Sequence, residues 1–176
     1  MATAYVMVGA PAAGKTTFVS WSLVADGDVG PSYVLNPDGL LFDGGEYRWT
    51  KQRVGRAWRQ VREDYDRLLR SGRNVVLDAT SAQRQDRKEY VEVALRAGYQ
   101  LVAVWFDVPV EVLVERDGQR VDAGKRVGPE VIRRFIDELE QPSLEEGFAE
   151  VWTVGPDGEV TDRVRAEGDV HGPAVG

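Results

Sequence analysis

The chain has 176 residues, with 22 Lys and Arg against 29 Asp and Glu, a formal net charge of −7 and no cysteine. That length suits one domain with a real core, and the missing thiols exclude disulfides, thiolate catalysis and cysteine metal sites. A generic nucleic-acid coat would be basic; an enzyme acting on nucleic acid needs only a local basic track, so the acidic total leaves the partner open.

The opening "MATAYVMVGAPAAGK" is too short and too soon interrupted for a signal peptide. No run of about 18 apolar residues is present to span a membrane. The expectation is a soluble chain with no membrane partner, and a reducing cytoplasm is its default location.

In chain order, "AYVMV" (4–8) reads as a buried strand running into a glycine loop. "KTTFVSWSLV" (15–24) reads as the helix that follows. "SYVL" (32–35) is a second strand, stopped by the turn signal "NPDG". From about 48 to 71 Val54, Trp58, Val61, Tyr65 and Leu68 fall within an arc of about 80°, which predicts an amphipathic helix closed at Gly72. "NVVLD" (74–78) is a third strand, 83–97 a helix closed by Gly98, and "YQLVAVWFD" (99–107) a fourth strand. Pro109 opens a short helix through Arg116. A loop rich in Gly, Asp and Arg follows over 117–128, then an amphipathic helix over 128–140, then a last strand "EVWTV" (150–154).

Strands alternating with helices predict an α/β fold, a three-layer parallel sheet flanked by helices. The expected division is one domain over 1–155, with a lid at about 116–128, and a loose tail over 156–176. His171, the one histidine, sits in that tail and carries no expected chemistry.

"GAPAAGKTT" fits G-x-x-x-x-G-K-[ST] through Gly9, Gly14, Lys15 and Thr16. The glycines let the backbone converge its N–H groups on phosphate oxygens, and a helix N-terminus adds positive potential. The whole loop, Gly9, Ala10, Pro11, Ala12, Ala13, Gly14, Lys15, Thr16 and Thr17, is the expected triphosphate cradle. Lys15 would neutralise the β- and γ-phosphates, and the Thr16 hydroxyl would ligate Mg²⁺. The expected cofactors are ATP and Mg²⁺.

Three other features bear on where the phosphate goes. Asp38, just past the second strand, lies where an acceptor hydroxyl would bind and can take its proton; N-P-D-G is equally a plain turn. Asp78, ending the third strand, suits Mg²⁺, directly or through water. Arg116, Arg120, Lys125 and Arg126, with Gly118 and Gly124, suit a lid that closes over the triphosphate.

The ordered series "GAPAAGKTT", "NPDG", "VVLDATSAQRQDRKEYVEVALRAG", "FDVPVEVLVERDGQR" and "VGPEVIRRF" resembles the P-loop kinases typified by bacteriophage polynucleotide 5′-kinase, from about Tyr5 to Leu139. The resemblance implies an adenylate-kinase-like fold and transfer of the ATP γ-phosphate to a hydroxyl, classically the 5′-OH of DNA or RNA. It implies Asp38 as general base, Lys15 and Thr16 at the phosphates and Mg²⁺, and Arg116, Arg120 and Arg126 as basic lid positions. One departure concerns the acceptor. Those kinases carry an Arg three residues after the catalytic Asp, where it helps hold the acceptor's phosphate; here that position is Leu41.

The long helix bears on the acceptor as well. Arg48, Lys51, Arg53, Arg56, Arg59 and Arg62 are uninterrupted by any acidic residue. Arg48, Arg56, Arg59 and Arg62 share an arc of about 120° on a helical wheel, a track that suits a phosphate backbone. Trp49 falls outside the apolar arc and is placed to stack on a base. Arg48, Trp49 and Arg56 are therefore candidate substrate contacts; the bland alternative is a solvated helix face. A kinase of a small molecule (nucleoside, nucleotide, sugar or antibiotic) or of hydroxymethylated bases in DNA fits the same machinery. A non-catalytic nucleotide switch does not need an acceptor base.

Overall fold

The computed structural model describes residues 1–166; His171 lies outside them. β1 (Thr3–Val8) runs into the glycine loop and α1 (Lys15–Phe18), which continues without a break as a wider π-helical stretch over Val19–Val24. β2 (Val34–Leu35) follows a short 3-10 turn at Pro31–Tyr33. Next come a two-stranded hairpin, β3 (Phe42–Asp43) and β4 (Glu46–Tyr47), and the long helix α2 (Lys51–Leu69). β5 (Val75–Leu77), α3 (Arg84–Arg96) and β6 (Gln100–Phe106) complete the first half. α4 (Val110–Gly118), α5 (Pro129–Glu138), β7 (Glu150–Val154) and β8 (Val160–Arg165) make the second.

The main sheet has the order β2-β5-β1-β6-β7-β8. Every pairing is parallel except β7 with β8. β1 pairs with β5 on one side and β6 on the other, so the chain reverses its direction of travel across the sheet at β1. A crevice opens at such a switch point, beyond the carboxyl ends of the strands.

The central strands are apolar throughout because both faces are covered. Ala4, Val6, Leu77 and Leu101 lie on one face, packed with Val61, Tyr65 and Leu68 of α2 and Tyr90 and Val91 of α3. Met7, Val76, Val104 and Phe106 lie on the other, with Phe18 and Leu23 of the first helix, Leu113 of α4 and Ile132 of α5. This is the three-layer sheet that the alternating strands and helices predict.

Four local expectations differ. The second strand is only two residues long, because Pro31 starts a turn where "SYVL" reads as extended chain. The hairpin β3–β4, turned by Gly44 and Gly45, was not legible as strands. α2 begins at Lys51, where the Thr50 side chain accepts from Arg53 N at 3.1 Å and caps the helix, so Arg48 and Trp49 precede it. Residues 160–165, expected to be loose chain, form β8, because Val160 and Val164 pair in register with Val154 and Val151 on the open edge of β7.

Candidate active site

β1, β2, β5 and β6 end at one edge of the sheet, and the phosphate loop, Asp38 and Asp78 follow the first three. Beyond β1, Gly9 N donates to Thr80 O at 3.1 Å, which holds the loop against the segment after β5. A Cβ on Gly9 would stand 2.9 Å from Phe106 Cβ, too close for any larger residue without movement. Ala12 (φ 65°) and Gly14 (φ 97°) are both left-handed, the curl that turns successive N–H groups toward an anion. Ala10 and Ala13 are buried, Pro11 half-buried, and Thr16 and Thr17 exposed.

Lys15 folds back over this loop. Its Nζ donates to Gly9 O at 2.9 Å and Ala10 O at 2.7 Å. Burial pushes its pKa down to about 8, against the opposing pull of the Asp78 and Asp38 carboxylates.

Asp78, only 4% exposed, follows β5. Its Oδ2 accepts from Thr16 Oγ1 at 2.7 Å and from Asn36 Nδ2 at 2.8 Å. Burial raises its pKa; the Thr16 and Asn36 hydrogen bonds and the Lys15 charge pull the other way. Asn36 was not among the expected site residues. It closes the N-P-D-G turn by accepting from Gly39 N at 3.1 Å, so one side chain ties that turn to the Asp78 carboxylate. The Asx-turn pattern was the signal for it.

Asp38 sits on a short 3-10 turn after β2, exposed to solvent. It forms no ion pair among the described residues, and its charge bears on Lys15, Asp78 and Tyr47. The Asp38 carboxylate is thus exposed and within electrostatic reach of Lys15 and Asp78.

The arginine-rich segment is anchored by a residue the sequence reading passed over. Asp117, buried at the end of α4, accepts from Val127 N and from Gly128 N, the latter at 2.9 Å. Arg116 Nη1 lies 3.9 Å from where a Gly14 Cβ would stand, and its Nη2 donates to Pro156 O. Arg120 pairs with Asp117 at 3.6 Å and its charge reaches Lys15. Arg126 is turned into the segment itself, donating to Arg120 O at 2.9 and 2.6 Å. Arg116 and Arg120 are thus brought to the phosphate loop, and Arg126 is not.

Around the hairpin and α2, Arg48 pairs with Glu46 at 3.1 Å rather than lying on α2. Arg53 pairs with Asp43 and Arg62 with Glu89. Arg56 is exposed on α2 without an ion pair among the described residues, and Trp49 is 60% exposed.

The residues present fit a magnesium nucleotide. A hydroxyl and a carboxylate stand side by side at the start of α1, both hard oxygen donors. Among the described residues no cluster of three or more His, Cys, Asp or Glu forms a closed metal cage. Mg²⁺ commonly binds this way, through one or two protein oxygens with phosphates and water supplying the rest.

A family model described as an AAA domain matches residues 5–142, and the chain belongs to that family. Fold and site together define a kinase-like P-loop phosphotransferase, a class whose fold implies ATP binding. The chain is similar to a Chloroflexus aurantiacus protein provisionally assigned as a kinase (22% identity, TM-score 0.67, 88% of this chain and 85% of that one). It is similar to a chain in a Pnkp1/Rnl/Hen1 RNA repair complex (26% identity, TM-score 0.66, 78% of this chain and 44% of that one). It is also similar to a sugar kinase from Janibacter sp. HTCC2649 (19% identity, TM-score 0.60, 89% and 87%). No curated protein matches. Among the described residues no helix is long and apolar enough to cross a membrane.

Proposed function

We propose that the protein transfers the γ-phosphoryl group of ATP to the 5′-hydroxyl of a polynucleotide, as a relative of the phage-type polynucleotide 5′-kinases. The observation that carries the reading is Asp38: an exposed carboxylate without an ion pair among the described residues, whose charge reaches both Lys15 and Asp78. A phosphate-binding loop alone needs no such group; an acceptor base does. The RNA repair assembly of one structural neighbour supports a nucleic-acid acceptor.

In this mechanism an Asp38 oxygen takes the proton of the acceptor hydroxyl. The hydroxyl oxygen bonds to the γ-phosphorus as the bond to the bridging oxygen breaks, and that electron pair leaves with ADP. Lys15 exchanges its loop carbonyls for β- and γ-phosphate oxygens. Arg116 and Arg120 offset charge on the transferring group. Thr16 and Asp78 would hold Mg²⁺, which when bound neutralises charge on the β- and γ-oxygens.

The test is transfer of γ-³²P from ATP to a panel: 5′-OH DNA and RNA oligonucleotides, hydroxymethyl-base DNA, nucleosides, nucleotides and sugars. Label on the 5′-OH oligonucleotides is the expected result. Label confined to a sugar or another small molecule overturns the acceptor and keeps the chemistry. A specific observation favours that second reading: Leu41, at the position where the phage-type kinases hold the acceptor phosphate, is 3% exposed and belongs to the core.

A further inference from the structure

Two features of the acceptor side belong together. The first is the charge balance of the hairpin segment itself, beyond which Arg56 and Arg59 of α2 stand exposed without an ion pair among the described residues. Residues 38–53 carry three carboxylates (Asp38, Asp43, Glu46) and three cations (Arg48, Lys51, Arg53). Two of those cations already face carboxylates, at 3.1 and 3.2 Å, and only Lys51 has no ion pair among the described residues. Lys125, reaching across from the lid, stands 4.6 Å from the centre of the Phe42 ring and 5.7 Å from that of Tyr47. Leu41, buried, offers the acceptor nothing.

The second feature is an apolar, aromatic rim. Leu40, Phe42, Trp49 and Val121 are large apolar side chains left exposed, and all lie on the hairpin, its flanks or the lid. Phe42 and Tyr47 meet edge to face, 5.6 Å between centres. Backbone bonding locks the rim to the base: Arg48 N donates to Leu41 O at 2.9 Å, three residues from Asp38. Tyr47 is close enough to Asp38 and Arg120 for both charges to act on its phenol, which burial already raises in pKa. Exposed apolar clusters beside a reactive group mark a ligand surface.

We infer that the acceptor is gripped by its terminal base, stacked on the aromatic rim of the β3–β4 hairpin and Trp49, and not by the phosphate next to its hydroxyl. This rests on the proposed polynucleotide acceptor and specifies how that acceptor is held. Base stacking is tolerant of sequence because every base has a π-face. The rim thus selects a 5′-terminal nucleoside of any base and is nearly indifferent to the chain beyond it.

The test compares KM for four 5′-OH acceptors with the full chain: a nucleoside, its 3′-monophosphate, an oligonucleotide, and the same oligonucleotide with an abasic 5′ residue. The nucleoside and its 3′-monophosphate should agree within about threefold, and loss of the terminal base should raise KM about 5- to 100-fold. Trp49→Ala and Phe42→Leu should raise the acceptor KM with little change in the KM of ATP. A tenfold or greater gain from the 3′-phosphate, with the abasic acceptor unimpaired, overturns the inference and leaves the proposed function standing. An intact oligonucleotide that takes no label overturns the proposed function, and this inference with it.

Discussion

The Thr16 hydroxyl and the Asp78 carboxylate, 62 residues apart in the chain, are hydrogen bonded at 2.7 Å across the gap between the start of α1 and the end of β5. The two oxygens that would flank a magnesium ion are thus held side by side by the fold itself. Asn36 holds the same carboxylate oxygen from the turn after β2, at 2.8 Å. Asp78→Asn should lower turnover about 10²-fold, the effect of losing a metal-orienting oxygen, and should raise the Mg²⁺ concentration needed for half-maximal rate. Steady-state rates across a Mg²⁺ titration check this.

The same substitution carries a stability signature. Burial holds the Asp78 pKa above its usual value of 3.8, so the folded protein binds that proton more tightly than the unfolded chain does. The associated stability is complete below the unfolded pKa and is lost as pH rises through the raised folded value. Asp78→Asn should remove that component. Urea midpoints from pH 4 upward should show the variant gaining on wild type as pH rises; parallel profiles would contradict the assignment.

Lys15 has the opposite sign. Its pKa falls from 10.5 to about 8 in the free protein, so the folded state is penalised below about 8 and the penalty lifts as pH rises toward 10.5. Triphosphate oxygens favour the ammonium form and should restore the proton. ATP binding near pH 8.5 should therefore take up a fraction of a proton, measured by calorimetry in buffers of different ionisation enthalpy. Lys15→Met should abolish the uptake.

Asp38→Asn should lower kcat about 10²–10⁴-fold, with ATP affinity nearly unchanged. Asp38 is exposed and forms no ion pair among the described residues, so unfolding should not confuse the result. A kcat within twofold of wild type would remove Asp38 as the base.

Arg87 tests the scaffold behind the site. It is fully buried and grips both Glu146 carboxylate oxygens at 2.8 and 2.7 Å, while donating to the carbonyls of Ser81, Ala82 and Glu140. Arg87→Ala leaves a buried carboxylate and three carbonyls without their partner, and should destabilise by about 3–5 kcal/mol, read from urea unfolding. The double variant Arg87→Met, Glu146→Leu should recover a large part of the loss.

What could be read from the sequence follows the strength of the local signals. "GAPAAGKTT" carries a glycine spacing that made the loop legible, although the left-handed turn at Ala12 was not. The central strands were legible because burial on both faces leaves continuous apolar runs. Short elements were not: β3 and β4 have two residues each, too few for a period to show. Arg48 was misassigned because a helical wheel carries no information about where Thr50 caps the helix. Asp117, Asn36 and Arg87 act through partners tens of residues away or across a turn, and spacing alone does not reveal such contacts. Arg126 looked equivalent to Arg116 and Arg120 by composition; only the folded path shows its guanidinium spent on a carbonyl of its own loop.

Arg116 touches two places at once. One edge of its guanidinium lies beside Gly14, and the other holds the carbonyl of Pro156 in the turn between β7 and β8. The final hairpin of the sheet therefore braces an arginine that lies beside the phosphate loop. A chain cut after Val154 would keep every residue of the phosphate loop and still leave this arginine untethered.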